Sequence, residues 1–169
     1  MADIAIALLR ECARWSLRLP SALSAKTAEL AGFRIAMEIN RASRDGDRLS
    51  ARLGPDEWLL CAPASFASAV EQDVAAALAG ESHSLVDVGH RYAALSVEGS
   101  HAAALLAAGC PLDLHAGTFV EGSATRTLLG KVEIILWRVH AAPAYRLDCA
   151  RSFARYVHDF LCEAAREYA

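Results

Sequence analysis

The sequence predicts an α+β fold made of duplicated strand-helix-hairpin-helix halves. Three observations carry that expectation. Segments with the two-residue alternation of half-buried strands alternate with segments whose apolar residues recur at helical spacing. The same signals occur twice in one order: Arg14-Trp15 is matched by Arg91-Tyr92, and Ser65-Phe66-Ala67 by Ser152-Phe153-Ala154. No low-complexity linker separates the two series. The pseudo-repeats span about 13–80 and 90–167, and they are expected to pack as a single domain over 1–169.

Each element has a local reason. Trp15, Leu17 and Leu19 alternate with Arg14, Ser16 and Arg18, which reads as a strand with one buried and one wet face. Ser24 and Gly32 bracket a predicted helix, with Gly32 as its left-handed stop. Strands at 49–53 and 58–61 flank Gly54-Pro55-Asp56, a tight-turn sequence. Phe66, Val70, Val74 and Leu78 recur every four residues and predict a helix between Pro63 and Gly80.

The second repeat follows suit. Arg91-Tyr92 opens a strand, and Ser100 and Gly109 bracket a helix carrying Leu105 and Leu106, with Gly109 again read as left-handed. Residues 113–122 lack periodicity and predict a loop. The run 132–139 is β-branched and aromatic, as strands are. Ala142-Pro143 permits a turn before a strand at 145–149. Ser152 is read as the N-cap of a last helix with the stripe Phe153, Tyr156, Val157, Phe160, Leu161 and Ala164.

Composition excludes several classes. A chain of 169 residues buries enough surface to fold without staples. Its apolar content, 54%, leaves room for surface that a partner covers. The net charge is −3, and Arg41, Arg44, Arg48 and Arg52 are offset by Asp45 and Asp47, so nucleic acid is not an expected partner. The cysteines are odd in number and none are three apart, which argues for reduced thiols in a cytoplasmic protein. No histidine shows paired helical spacing of the HExxH kind, so no metal site is expected. The first apolar run is short and meets Arg10 and Glu11, so neither export nor a membrane partner is expected.

The candidate site residues are few. Asp87 and His90 stand three apart with no nucleophile beside them. Asp87 is expected to bond backbone N–H groups at a strand entry, with His90 and Arg91 as interface residues. Asp113 and His115 flank Leu114, the pattern of a buried anchor with polar flanks, and are further interface candidates. For cofactor binding the chain offers Asp87 to grip a planar ring and Trp58 and Trp137 to stack on it, although tryptophans so placed are usually core. The phosphate-cradle motif GxGxxG, the P-loop and the GxSxG elbow are all absent from the sequence. No catalytic residue is assigned, and no cofactor is expected on this chain.

Four strings in fixed order, LGPDEWLL (53–60), DVGHRYAAL (87–95), GCPLDLH (109–115) and RSFARYVHDFL (151–161), resemble the gamma subunit of heterotetrameric sarcosine oxidase. The resemblance covers about 49–165 and includes ILWR at 135–138. Gly89 stands where that family usually has serine. The resemblance implies a fold like the folate-binding domain of the glycine-cleavage T protein and other aminomethyltransferase-type proteins. It also implies alpha, beta and delta partner chains that hold FAD, FMN, NAD, tetrahydrofolate and a zinc. In such a complex sarcosine is demethylated oxidatively and its one-carbon unit passes to tetrahydrofolate. No catalytic or cofactor residue is implied for the gamma chain. A subunit of an N-methylglutamate dehydrogenase-like complex and a stand-alone folate-binding protein are the alternatives, and the isolated chain is a candidate homodimer.

Overall fold

The computed structural model describes residues 4–24, 27–139 and 144–168. In chain order the strands and helices are β1 (Ala5–Leu8), β2 (Cys12–Arg18), the single turn α1 (Ser21–Ser24), β3 (Glu29–Leu30), β4 (Phe33–Arg34), β5 (Arg41–Asp45), β6 (Arg48–Arg52), β7 (Glu57–Pro63), α2 (Ala67–Ala77), β8 (Ser84–Asp87), β9 (Tyr92–Glu98), α3 (Ala102–Ala107), β10 (Ser123–Leu129), β11 (Val132–Arg138), β12 (Ala144–Ala150) and α4 (Ala154–Ala165).

The chain divides into two compact units. One comprises Met1–Arg10 with Arg91–Ala169, and the other Glu11–His90. Within the second, the strand order is β5-β6-β7-β2-β8, every neighbour antiparallel. Within the first, the order is β10-β11-β12-β9-β1, again antiparallel throughout. The two orders match strand for strand, which is the duplication expected of an α+β chain. The fifth strand differs in origin: β8 follows its unit's helix, whereas β1 comes from the chain's start and pairs Ala5 with Glu98 and Leu8 with Leu95.

Burial explains the strands. Trp58, Leu60 and Ala62 of β7 join Trp15 and Leu17 of β2 and Val70, Val74 and Leu78 of the α2 segment in one apolar cluster. The intervening Leu59 and Cys61 are buried as well. A strand buried on both faces reads as a continuous apolar run, and WLLCA is one. In the other unit, Ile134 and Leu136 of β11 pack with Leu105 and Leu106 of α3 and Val157 and Leu161 of α4. Ile135 and Trp137, which point the other way, are 2% and 0% exposed.

Four expectations need correction. No helix ends at Gly32. Ala31 (φ 48°) and Gly32 (φ 74°) form the two-residue turn of the β3–β4 hairpin, a type I′ geometry. The hairpin wins because Leu30, Phe33 and Ile35 all reach the apolar cluster from it. Gly109 does not have a positive φ, and Ala108, which follows the last residue of α3, still has helical angles (φ −60°). Glycine is needed there for close approach: a Cβ would lie 2.5 Å from Cζ of Phe160 and 3.0 Å from the Gly130 nitrogen. Ser152 does not cap α4. It lies in a 3-10 turn, Arg151–Phe153, that precedes the helix, and no side chain caps the helix start. Phe66 sits in the matching turn before α2, outside the buried stripe, and is 41% exposed with the Arg48 guanidinium 5.0 Å from its ring centre.

Strands β1, β3, β4, β5, β8 and β10 had no sequence expectation. The anticipated Ala142-Pro143 turn lies outside the described residues.

The buried tryptophans differ in one respect. The Trp58 indole N–H donates to the Ala36 carbonyl at 2.7 Å. The Trp137 indole N–H has no acceptor among the described residues. Trp58→Phe is therefore expected to cost more stability than Trp137→Phe, by about 1–2 kcal/mol, because only the first orphans a buried carbonyl. Urea midpoints of the two variants, compared at equal m-value, measure the difference.

Candidate functional site

Strand β8 ends at Asp87, and the chain passes through the 3-10 turn Gly89–Arg91 into β9. The Gly89 N–H donates to Oδ1 of Asp87 at 2.7 Å, so the carboxylate closes a local turn. The Val88 N–H donates to the Arg14 carbonyl at 2.9 Å and pins the segment to β2. A Cβ at Gly89 would sit 3.2 Å from Oδ1 of Asp87, tighter than ordinary contact. His90 and Arg91 are exposed at the apex.

The loop between α3 and β10 is equally self-bonded. Oδ1 of Asp113 accepts the His115 N–H at 2.9 Å, and Oδ2 accepts the Thr118 hydroxyl at 2.8 Å. The Thr118 and Phe119 N–H groups both donate to the His115 carbonyl at 2.9 Å. The Gly117 N–H donates to Nδ1 of His115 at 3.2 Å, so the neutral ring carries its own proton on Nε2. Leu114 and Phe119 are buried in the cluster below, and Arg138 donates to the Phe119 carbonyl. Asp113 and His115 themselves face solvent.

The tryptophans lie inside. Trp58 is 0% exposed, with the Arg52 guanidinium 4.7 Å from its ring centre. Trp137 is also 0% exposed, with Arg146 at 5.8 Å. Arg146 in turn binds the buried Asp148 through Nε–Oδ2 at 2.8 Å and Nη2–Oδ1 at 3.0 Å. In the Glu11–His90 unit, Asp87 lies on the edge strand β8, paired with Trp15 of β2, and Trp58 lies in the buried cluster that contains Trp15. Trp137 belongs to the other unit.

Sequence reasoning missed an aromatic surface. Phe153 and Tyr156 are 49% and 41% exposed, while Val157 and Leu161 are fully buried and Ala154, Phe160 and Ala164 pack partly against the core. Tyr156 stacks on Phe160 at 6.3 Å. Phe153 also walls a pocket of ≈ 120 Å³ with Arg91, Tyr92, Glu133 and Asp148. The width of the α4 stripe was the available signal, but it does not say which of its residues the core leaves uncovered. Among the described residues, no group of three or more His, Cys, Asp or Glu side chains is placed to hold a metal, and no helix is long and apolar enough to cross a membrane.

A duplicated α+β unit of this kind is found in the glycine cleavage system aminomethyltransferase T from Bartonella henselae. That structure superposes with a TM-score of 0.72 at 15% identity, over 98% of this chain and 47% of the other, a likeness of fold alone. The chain belongs to the sarcosine oxidase, gamma subunit family, whose profile matches residues 20–167. It is 33% identical over 117 residues to a sarcosine oxidase subunit gamma from an Arthrobacter species and 32% identical to that from Corynebacterium sp. strain U-96. Each match covers 69% of this chain and 56% of the relative's length. A chain of the heterotetrameric sarcosine oxidase from Corynebacterium sp. U-96, solved with pyrrole 2-carboxylate, superposes with a TM-score of 0.85 at 25% identity, over 98% of this chain and 85% of that one.

The hydrogen bond from the His115 backbone, then that from Thr118, holds the Asp113 carboxyl below its usual value of 3.8. The sign follows: this contribution to loop order is complete above 3.8 and fades as pH falls through the lowered folded value. Thr118→Val is expected to move the Asp113 midpoint upward, read by carbon-detected NMR titration of the carboxyl.

Proposed function

We propose that this chain is a non-catalytic gamma subunit of a heterotetrameric, sarcosine oxidase-like flavoenzyme complex, with a role in assembly. Family membership over residues 20–167 carries the reading. In it, FAD, FMN, NAD and tetrahydrofolate reside on alpha, beta and delta chains in the cytoplasm. Those chains demethylate sarcosine oxidatively and pass the one-carbon unit to tetrahydrofolate.

The geometry supports an assembly role. His90, Arg91, Asp113 and His115 are exposed on turns that are already fixed by their own hydrogen bonds. Turn backbone held this way loses little further freedom on association. Phe153 and Tyr156 add the aromatic area that interface centres favour.

Co-expression with neighbouring alpha, beta and delta chains tests the proposal. A tag on this chain is expected to recover all of them in fixed ratio, while the chain alone shows no sarcosine turnover. Arg91→Glu combined with Phe153→Asp is expected to weaken association at least tenfold, about 1.4 kcal/mol, with unchanged circular dichroism. A chain that never co-purifies with such partners, or that turns over sarcosine unaided, refutes it.

A further inference from the structure

In the unit that contains Arg91–Ala169, strands β9, β12 and β11 build a cavity on the sheet face turned away from α3 and α4. Register pairs Tyr92 with Ala150 and Ile135 with Asp148, and Glu133 stands two residues from Ile135 on the same face. The alternate residues Ile134, Leu136, Leu147 and Cys149 pack with the helices instead. Arg91 directly precedes β9 and Phe153 follows β12, so both stand at the end where Tyr92 meets Ala150. The cavity they line measures ≈ 120 Å³. We propose that it binds a small zwitterionic amino acid, with Arg91 on the carboxylate and Glu133 on the ammonium.

The charges select the ligand. Arg91 and Glu133 both line the cavity, and among the described residues neither makes a hydrogen bond or an ion pair. Asp148 lines it too, but it is fully buried and Arg146 holds its carboxylate at 2.8 and 3.0 Å, so it adds no free charge. What remains is one cation and one anion on the wall of a single small cavity. A cationic guest would be repelled by Arg91 and an anionic guest by Glu133, whereas a guest carrying both charges complements each. Guanidinium can grip a carboxylate through two parallel bonds. Tyr92 and Phe153 supply aromatic rings, whose faces attract an ammonium. Size sets the rest. A cavity of about 150 Å³ takes a benzene-sized guest, so this one suits about five or six heavy atoms, the size of glycine or alanine. The site belongs to this chain alone and does not rest on the assembly role.

L-Alanine is the probe, titrated into the full chain and followed by amide and aromatic NMR shifts. Saturable shifts are expected at Tyr92, Glu133 and Phe153, with one alanine per chain and a millimolar dissociation constant. Ethylamine and propionate each carry only one of the two charges and are expected to bind at least tenfold more weakly. Arg91→Gln and Glu133→Gln are each expected to weaken alanine binding at least tenfold. Both side chains are exposed, so both variants keep the fold, checked by circular dichroism. The titration needs no partner chain, so its outcome is separate from that of co-expression. No saturable shift at tens of millimolar alanine, shifts confined to other residues, ethylamine or propionate binding as tightly as alanine, or an affinity unchanged by either variant overturns the proposal.

Discussion

Burial of both sheet faces governs this structure. In β7 the five residues from Trp58 to Ala62 are all buried, and in β11 the four from Ile134 to Trp137. A strand enclosed on both sides has no wet face on which to place a polar group. Polar atoms at those depths find partners inside or carry the cost of a buried orphan, about 1–3 kcal/mol, as the Trp137 indole N–H does. Trp58 meets this by donating to Ala36, and Asp148 by accepting two bonds from Arg146. An ion pair this deep gains little net stability, because desolvation offsets the attraction, but losing either partner would strand a charge. The enclosure thus leaves the turns and the outer face of α4 among the exposed surfaces.

What could be read from the sequence follows the same division. Segments β6, β7, β11 and β12 were legible because their apolar runs or alternation have one interpretation at that length. The β3–β4 hairpin was not. Its strands are two residues each, shorter than any window of periodicity, and Gly32 serves a hairpin turn as well as a helix stop. Strand β5, with the sequence RASRD, has no residue in the buried class, so no apolar signal marks it. Caps misled in a similar way. Short 3-10 turns take the positions before α2 and α4 where a serine cap would be sought.

The site was legible where its chemistry is local. An Asp two residues before a backbone N–H closes a turn through its own carboxylate, and Asp87 and Asp113 both do so. Leu114 is a buried anchor between polar flanks, as its neighbours indicated. Exposure of Phe153 and Tyr156 was not legible, because a helical wheel records which residues share a face but not how much of that face the core can cover. The family resemblance supplied what local chemistry could not, since a family is read from ordered strings along the chain and not from the chemistry of any one site.

The origin of β1 bears on how the polypeptide acquires its shape as it leaves the ribosome. Every strand of the Glu11–His90 unit has emerged once residue 90 is out, so that half can close early. Strand β1 precedes all of it along the chain, yet its hydrogen-bonding partners on β9 follow 87 to 93 residues later, from Leu8↔Leu95 to Ala5↔Glu98. Until then neither of its edges is paired; in the finished sheet β1 keeps one outer edge, where Leu8 is 67% exposed. The residues of β1 are therefore locked in place only after a strand far along the chain has formed, and the chain is most open to mispairing during that interval.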